Sequence, residues 1–216
     1  MALRSAVVVV CIAYAAAAGV AVAEAQDLSA SPPPQRGMLA LDFGLGFALG
    51  GDDLVYAEFD TGEDTTLSAG NGVIVNLGAT VTPLWFGRIG LGASVDLGIK
   101  YAGIEASNGS VSFTRFPVVA SAHGLFSVNT NWSVLVAGGL HYDLGASLSG
   151  DGLFDDLQFD SESALGFMIE AGGYYEERPL GIDVTLRYTA LEYEFDGRKV
   201  DGMSIGLFGT FHFIVL

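Results

Sequence analysis

The residues of this chain that could do chemistry are charged and histidine side chains set singly within apolar segments. They are Asp42, Arg88, Asp96, Lys100, Arg115, Asp143, Glu170, Asp183, Arg187 and His212. Each alternates with apolar neighbours, so these groups share one face of their segments. Opposite charges removed from water must pair to offset the hydration that they lose. The pattern therefore predicts either a plug of ion pairs or the charged lining of a narrow pore.

Acid–base catalysis would depend on His123, His141 and His212, which are all predicted to lie on that same face. Asp143 could orient the imidazole of His141, but no nucleophile accompanies this pair in the sequence. We therefore expect no enzymatic turnover and no cofactor.

The glycines of the Gly44-x-Gly46-x-x-x-Gly50 stretch resemble a nucleotide-binding loop only superficially. A dinucleotide fingerprint requires its glycines to open a helix. Here Leu45, Phe47 and Leu49 continue a strand-like alternation through the glycines. These glycines instead indicate the crowded inner face of a narrow barrel.

Two acidic clusters lie between the apolar segments, and neither contains a Lys or Arg. The first holds Asp52, Asp53, Glu58, Asp60, Glu63 and Asp64, and the second holds Asp151, Asp155, Asp156, Asp160 and Glu162. Clustered carboxylates are the usual ligands of Ca²⁺, but neither cluster has EF-hand spacing. Divalent-cation binding and simple solvation of the surface both stay open.

Composition narrows the class of protein. The chain has 9 Lys and Arg against 25 Asp and Glu, a net charge of −16, which argues against nucleic-acid binding. Half of its residues are hydrophobic and 30 are glycines, yet no long apolar run follows the N-terminus. An ordinary transmembrane helix needs about 20 such residues. Apolar residues spread over short segments predict many strands.

The N-terminus has the features of an export signal over residues 1–25. A basic start precedes an apolar, alanine-rich stretch, and small-residue cleavage patterns end at Ala23 and Ala25. A retained helical anchor is the alternative. Cleavage would remove Cys11 and leave neither a disulfide nor a thiolate metal site. Residues 26–37, with three successive prolines, are predicted to form a periplasmic linker.

Eight segments carry the every-other-residue apolar pattern of strands. They cover residues 39–49, 73–83, 89–101, 113–126, 133–144, 164–175, 180–195 and 203–215. Strands of soluble proteins usually run about five or six residues, whereas a tilted strand crosses a membrane in roughly 9–11. In the seventh segment the alternation slips near residues 189–191, which predicts a bulge.

The connections alternate between short turns and long polar stretches, as in membrane barrels. Aromatic residues flank both kinds of connection, where interfacial girdles belong. Those beside the short turns are Trp85, Phe86, Trp132 and Tyr175, and those beside the long loops are Tyr101, Tyr142, Tyr193 and Phe195. We therefore predict an all-β fold over residues 38–216, an eight-stranded antiparallel transmembrane up-and-down β-barrel. A soluble sandwich is the alternative.

Two pairings follow from this topology. Counting outward from the 176–179 turn sets Glu170 opposite Thr185, so Arg187 becomes a diagonal neighbour within ion-pair distance of Glu170. Closing the first strand on the last, with Met38 beside Leu216, sets Asp42 opposite His212.

The sequence resembles the small eight-stranded outer-membrane barrels of Gram-negative bacteria, the OmpA/OmpW/OmpX-like group. The resemblance is one of architecture and rests on segments such as Leu39–Leu49 and Ile89–Tyr101, and on the aromatic-rich end of the chain. That end is a leucine where the group prefers phenylalanine. Lipid A-modifying barrels use a His-x-Ser arrangement, which none of the three histidines has.

The resemblance implies an outer-membrane location, the barrel assembly machinery during biogenesis, and contact with outer-membrane lipids and lipopolysaccharide. Divalent cations at the acidic loops are candidate partners, nucleic acid is not, and a monomer is expected. The expected function is structural or surface-interactive. A narrow channel for small or hydrophobic solutes is the alternative, and a lipid A-modifying enzyme is the third.

Overall fold

The computed structural model describes residues 38–58, 64–106, 109–152, 154–156, 158–195 and 197–215. The predicted signal peptide and linker lie outside these residues. Eight long strands form one sheet: β1 (Met38–Leu49), β4 (Gly72–Phe86), β5 (Ile89–Ala106), β6 (Gly109–Ser127), β7 (Trp132–Gly152), β9 (Ala164–Glu177), β10 (Leu180–Ala190) and β13 (Ser204–Ile214). Five shorter strands accompany them: β2 (Asp53–Glu58), β3 (Asp64–Ser68), β8 (Gln158–Ser161), β11 (Glu192–Phe195) and β12 (Arg198–Asp201).

The eight long strands close into an antiparallel barrel, as predicted. Each pairs with its neighbours in the chain, and β1 closes on β13. The closing register runs from Ala40 opposite Ile214 to Leu49 opposite Ile205. It therefore places Asp42 opposite His212, as the sequence predicts.

The two faces of the barrel are those of a membrane protein. Along β1, Leu41 and Leu45 are 58% and 53% exposed on the outside, whereas Asp42 is 5% exposed on the inside. The same alternation recurs around the ring, with apolar side chains outward and polar ones inward. Water would penalise such an apolar belt, whereas hydrocarbon accommodates it. The soluble-sandwich alternative is therefore wrong.

Within the described residues, no helix has the length and apolar character needed to span a membrane.

Two prolines interrupt the ladders of the barrel. The register between β4 and β5 shifts between Val81 and Leu84, around Pro83, and that between β6 and β7 shifts at Pro117. Proline lacks the N–H that a ladder needs, so it is tolerated at such irregularities. The first shift reverses the alternation and places Trp85 opposite Gly90, with the indole packed against inward-facing residues. Trp85 therefore does not belong to the lipid-facing girdle predicted for it.

The barrel is much taller on one side. Strands β5, β6 and β7 have 18, 19 and 21 residues, whereas β10 and β13 each have 11. Their extensions replace two of the predicted long loops, because the alternating pattern continues there with small polar residues. We call the extensions, residues 102–106, 109–115 and 145–152, together with β8, the wall.

The predicted seventh strand is two elements. Strand β10 ends at Ala190, and residues 192–195 leave the barrel to pair with β12. The slip in the alternation thus marks a strand end, and the predicted bulge is wrong.

The long-loop end of the barrel is covered by an apolar cluster that we call the cap. The β2–β3 and β11–β12 hairpins contribute to it beside the wall. Its buried residues include Leu67, Val111, Phe113, Leu148 and Tyr193. Tyr193 is 1% exposed and Phe195 packs against the same cluster, so neither belongs to the aromatic girdle predicted for them.

Substitution on the lipid-facing side tests the belt. Val95 is 53% exposed midway along the apolar stretch of β5. Val95→Arg should lower the free energy of unfolding in lipid vesicles by about 2–4 kcal/mol, because the charge then lies in hydrocarbon. Urea titration followed by tryptophan fluorescence measures this change.

Glu105→Arg is the matched control, because Glu105 lies on the same strand and the same outward face, in the wall. It should change stability by less than about 0.5 kcal/mol, as surface substitutions usually do. Equal effects of the two arginines would contradict the placement of the belt.

Candidate functional site in the barrel lumen

A histidine held between two aspartates lies near the short-turn end of the lumen. The Nδ1 atom of His212 lies 2.7 Å from Asp42 Oδ1, and its Nε2 lies 2.8 Å from Asp183 Oδ2. The hydroxyl of Thr80 donates to Asp42 Oδ2 at 2.6 Å. Ionised carboxylates only accept, so bonds at both ring nitrogens require protons on both. The ring is then a cation between two anions.

An ion pair lies in the middle of the lumen, between side chains of the neighbouring strands β9 and β10. Arg187 Nε donates to Glu170 Oε2 at 2.7 Å, and its guanidinium lies 4.2 Å from the centre of the Phe208 ring. The two partners are directly opposite each other rather than diagonal, because the turn occupies only residues 178–179 and Leu180 pairs with Glu177. The predicted pair therefore forms in a register that differs from the predicted one.

A second carboxylate centre lies beneath the cap. Asp143 accepts a bond from the Tyr193 hydroxyl, and its Oδ1 lies 3.1 Å from His141 Nε2. Burial first, and then the neighbouring Asp143 carboxylate, raise the pKa of the Tyr193 phenol above its usual range. The phenol therefore stays protonated and donates. Sequence reasoning missed this role of Tyr193, because an aromatic residue beside a long loop was assigned to the interfacial girdle.

Lys100 and Arg115 lie opposite each other on β5 and β6, and both are buried. Lys100 Nζ donates to the Gly70 carbonyl at 2.6 Å, and Arg115 donates to the carbonyls of Ala69 and Asn71. These two cations therefore hold the turn after the β2–β3 hairpin in the mouth of the barrel. Ion pairing was the expected role, but the carbonyl contacts depend on a loop whose position the sequence does not reveal.

The remaining two predicted site residues differ in their surroundings. Asp96 is buried in the lumen, where Asn76 Nδ2 donates to its Oδ1 at 3.3 Å. Arg88 lies in the two-residue turn between β4 and β5, where it is half-buried. Its position at the end of the barrel separates it from the other charges, because β5 begins only at Ile89.

Apolar residues close the lumen at the short-turn end. We call them the base cluster: Met38, Ala40, Leu125, Leu135, Ala137 and Tyr174, with Trp85 and Ile214 packed against them. These residues point into the barrel, at positions of the strands where we expected small or polar side chains. The charged layer thus lies between the base cluster and the cap.

Two small cavities remain within the charged layer, of about 30 and 20 Å³. A buried water needs roughly 10–15 Å³ of such volume, so together they hold only a few waters. Both cavities are lined by Asn76, Asp96 and Arg187, and these side chains separate them. The lumen is a packed interior with two wet pockets.

The three histidines do not form an accessible catalytic group. His123 Nε2 lies 2.9 Å from the Thr82 hydroxyl, but Thr82 is fully buried. His141 and His212 are bonded to carboxylates. Among the described residues, no group of three or more His, Cys, Asp or Glu side chains could hold a metal ion. Asp60 and Glu63 of the first acidic cluster lie outside those residues.

Comparison with known proteins bears on the fold. No protein-family model matches the chain, and no curated protein sequence matches it. Among solved structures, Neisserial surface protein A (NspA) aligns over 82% of this chain and 96% of its own, at 14% identity and a TM-score of 0.52.

Two further barrels are similar. Ail, the attachment invasion locus protein of Yersinia pestis, solved with the heparin analogue sucrose octasulfate, aligns over 83% of this chain and 100% of its own, at 17% identity and a TM-score of 0.48. OprG from Pseudomonas aeruginosa aligns over 85% and 98%, at 10% identity and a TM-score of 0.41.

The closed ring, the lipid-facing belt and the filled lumen define a transmembrane β-barrel. Together with the fold shared with NspA, they give the chain the architecture of the small eight-stranded barrels of outer membranes. In barrels of this kind the short turns face the periplasm and the longer connections face outward, and the wall and cap stand at the end of the longer connections.

Removal of the central histidine tests the charged layer. His212→Ala leaves Asp42 and Asp183 buried without their shared cation, so it should destabilise the barrel by about 3–5 kcal/mol. Urea unfolding in vesicles measures the change.

Adding Asp42→Asn and Asp183→Asn to His212→Ala should recover part of the loss, since no unpaired charge then remains. A single variant as stable as the parent protein would contradict the arrangement. Failure of the two asparagines to restore any stability would contradict the electrostatic reason for it.

Proposed function

We propose that this protein is a non-conducting outer-membrane barrel whose function is exercised by its extracellular wall and cap. One observation carries the proposal: apolar clusters cover the charged layer on both sides. Ion permeation needs a continuous hydrated or charged path, and the base cluster and the cap interrupt it. The role is therefore structural and surface-interactive, without enzymatic turnover.

The inner network supports this function by holding the extracellular parts in place. Lys100 and Arg115 hold residues 69–71, which follow the β2–β3 hairpin. Asp143 holds Tyr193, which leads into the β11–β12 hairpin. Buried polar groups that are bonded to one another can specify one arrangement. The side chains of the lumen thus hold the two hairpins in position at the surface.

A gated narrow channel is the second candidate. The specific observation in its favour is that only Asn76, Asp96 and Arg187 separate the two cavities. Movement of Arg187 away from Glu170 would join them. Passage would still require displacement of Tyr174 and its neighbours at the base and of the β2–β3 hairpin at the cap.

Conductance in planar lipid bilayers tests the closed lumen. The protein should show no reproducible single-channel openings. A variant that empties the base and the middle, Leu125→Ala with Tyr174→Ala and Arg187→Ala, and that also has the β2–β3 hairpin replaced by a short glycine–serine link, should show openings, because it removes the obstructions at the base, in the middle and at the cap. Electrophoresis of heated and unheated samples checks that this variant is folded. A folded barrel migrates faster before heating than after heating has unfolded it.

The matched control carries the same hairpin replacement and also truncates three side chains, but on the outside of the barrel, by Leu140→Ala with Phe167→Ala and Ile169→Ala. All three residues face lipid, at 60%, 52% and 55% exposure. The control should stay silent. Reproducible openings of the unaltered protein would overturn the proposal in favour of the channel.

A further inference from the structure

The outward face of the wall is polar: a central group of small hydroxylated residues is flanked by Gln158 and Asp160 of β8 and by Glu105 and Asp151. In one row across the strands, Tyr101 lies opposite Thr114, and Thr114 opposite Ser147. In the next row, Ser112 lies opposite Ser149, and their hydroxyls are 3.0 Å apart. Neighbouring strands thus present aligned hydroxyl groups at regular spacing.

This face continues the lipid-facing side of the same strands. Outward residues on β5 change from Leu97 and Ile99 to Gly103, and those on β6 change from Phe116 to Thr114. Successive same-face residues lie about 7 Å apart along a strand. The material that touches the hydroxyl rows is therefore the layer directly above the hydrocarbon, which is the head-group layer of the outer leaflet.

Charge indicates which part of a head group the wall can bind. The Lys and Arg side chains of the described residues lie elsewhere: Lys100, Arg115 and Arg187 in the lumen, Arg88 and Arg178 at the short turns, and Arg198 and Lys199 on β12. Glu105, Asp151 and Asp160 border the face. Phosphate groups are bound by cations, so this face favours uncharged donors and acceptors.

Tyr101 adds an aromatic surface beside the hydroxyl rows. Its side chain is 49% exposed, and its phenol end lies directly over Gly103, where a Cβ atom would fall 2.7 Å from the Tyr101 hydroxyl oxygen. Gly103 therefore leaves room for the ring to lie along the sheet. An exposed ring face next to aligned hydroxyls suits a sugar ring, whose C–H groups stack on aromatics while its hydroxyls form hydrogen bonds.

A protein partner fits this face less well. Interfaces between proteins usually have an apolar core surrounded by a polar rim. The outward face of the wall has no such core, since Tyr101 is the one aromatic residue beside these rows of Ser, Thr and Gly, and the other residues around them are Gln158 and acids.

We propose that the outward face of the wall is a binding surface for the core sugars of outer-leaflet glycolipid head groups. This inference rests on the proposed function, because it names the partner of the surface elements that the closed barrel holds. Hydroxyls of residues 112, 114, 147 and 149 bond the sugars, and Tyr101 stacks against them.

Hydrogen–deuterium exchange of the full chain in vesicles tests the proposal. One vesicle preparation contains phospholipid with lipopolysaccharide, and the second contains phospholipid with lipid A, which has the acyl chains and phosphates without the core sugars. Exchange of the wall, residues 109–114 and 147–152, should be at least roughly fivefold slower with lipopolysaccharide, because bound sugars oppose its local opening. Core oligosaccharide added free to phospholipid vesicles should have no such effect.

Variants connect the effect to the named residues. Ser112→Val with Ser149→Val and Tyr101→Ala should abolish the difference, while valine keeps the strands intact. Tyr188→Ala is the control, because Tyr188 is an outward tyrosine on β10, where no wall rises. This control should leave the difference unchanged.

Three outcomes would overturn the proposal. Equal protection by lipid A would show that its acyl chains, phosphates or glucosamine pair suffice without core sugars, and equal protection by free oligosaccharide would remove the need for the lipid. Equal exchange of the wall in all preparations, without protection in any of them, would show that this face does not bind the sugars. Conductance of the same preparations separates the two proposals: a conducting barrel with sugar-dependent protection refutes only the closed lumen, and a silent barrel without protection refutes only this surface.

Discussion

Hydrocarbon cannot hydrogen-bond to a peptide group, and this constraint governs the rest of the molecule. Every backbone N–H and C=O at membrane depth needs a partner within the chain, so a sheet that crosses a bilayer has to close. The pairing of β1 with β13 provides that closure. Once the ring is complete, the outward face can be as apolar as its surroundings, and the charged side chains at membrane depth turn inward.

Closure with eight strands leaves a lumen so narrow that side chains nearly fill it. The chain fills it in layers, with apolar residues at the base and under the cap and charged residues between them. Burial in such a space would be costly for single charges. The arrangement of His212 between two aspartates and of Arg187 against Glu170 offsets that cost.

The strands differ in length, so one side of the barrel extends much further from the membrane than the other. Above the membrane, β5–β7 continue as a paired sheet and satisfy their backbone groups, whereas β10 and β13 stop near the membrane surface. Two hairpins cover the mouth, held from below by Lys100, Arg115 and Asp143. Interior charges and surface elements are thus parts of one structure, which connects the filled lumen to a role at the cell surface.

Alternation in the sequence determined the strand count, the lipid-facing residues and the inward position of nine of the ten predicted charges, because a strand turns every second side chain to one face. It could also place Asp42 opposite His212, since closure leaves few registers. Only the tertiary structure decided that Glu170 meets Arg187 directly, that Trp85 turns inward and that Tyr193 belongs to the cap. Each of these depends on a turn length, a proline bulge or a strand end, and a shift of one residue exchanges the two faces.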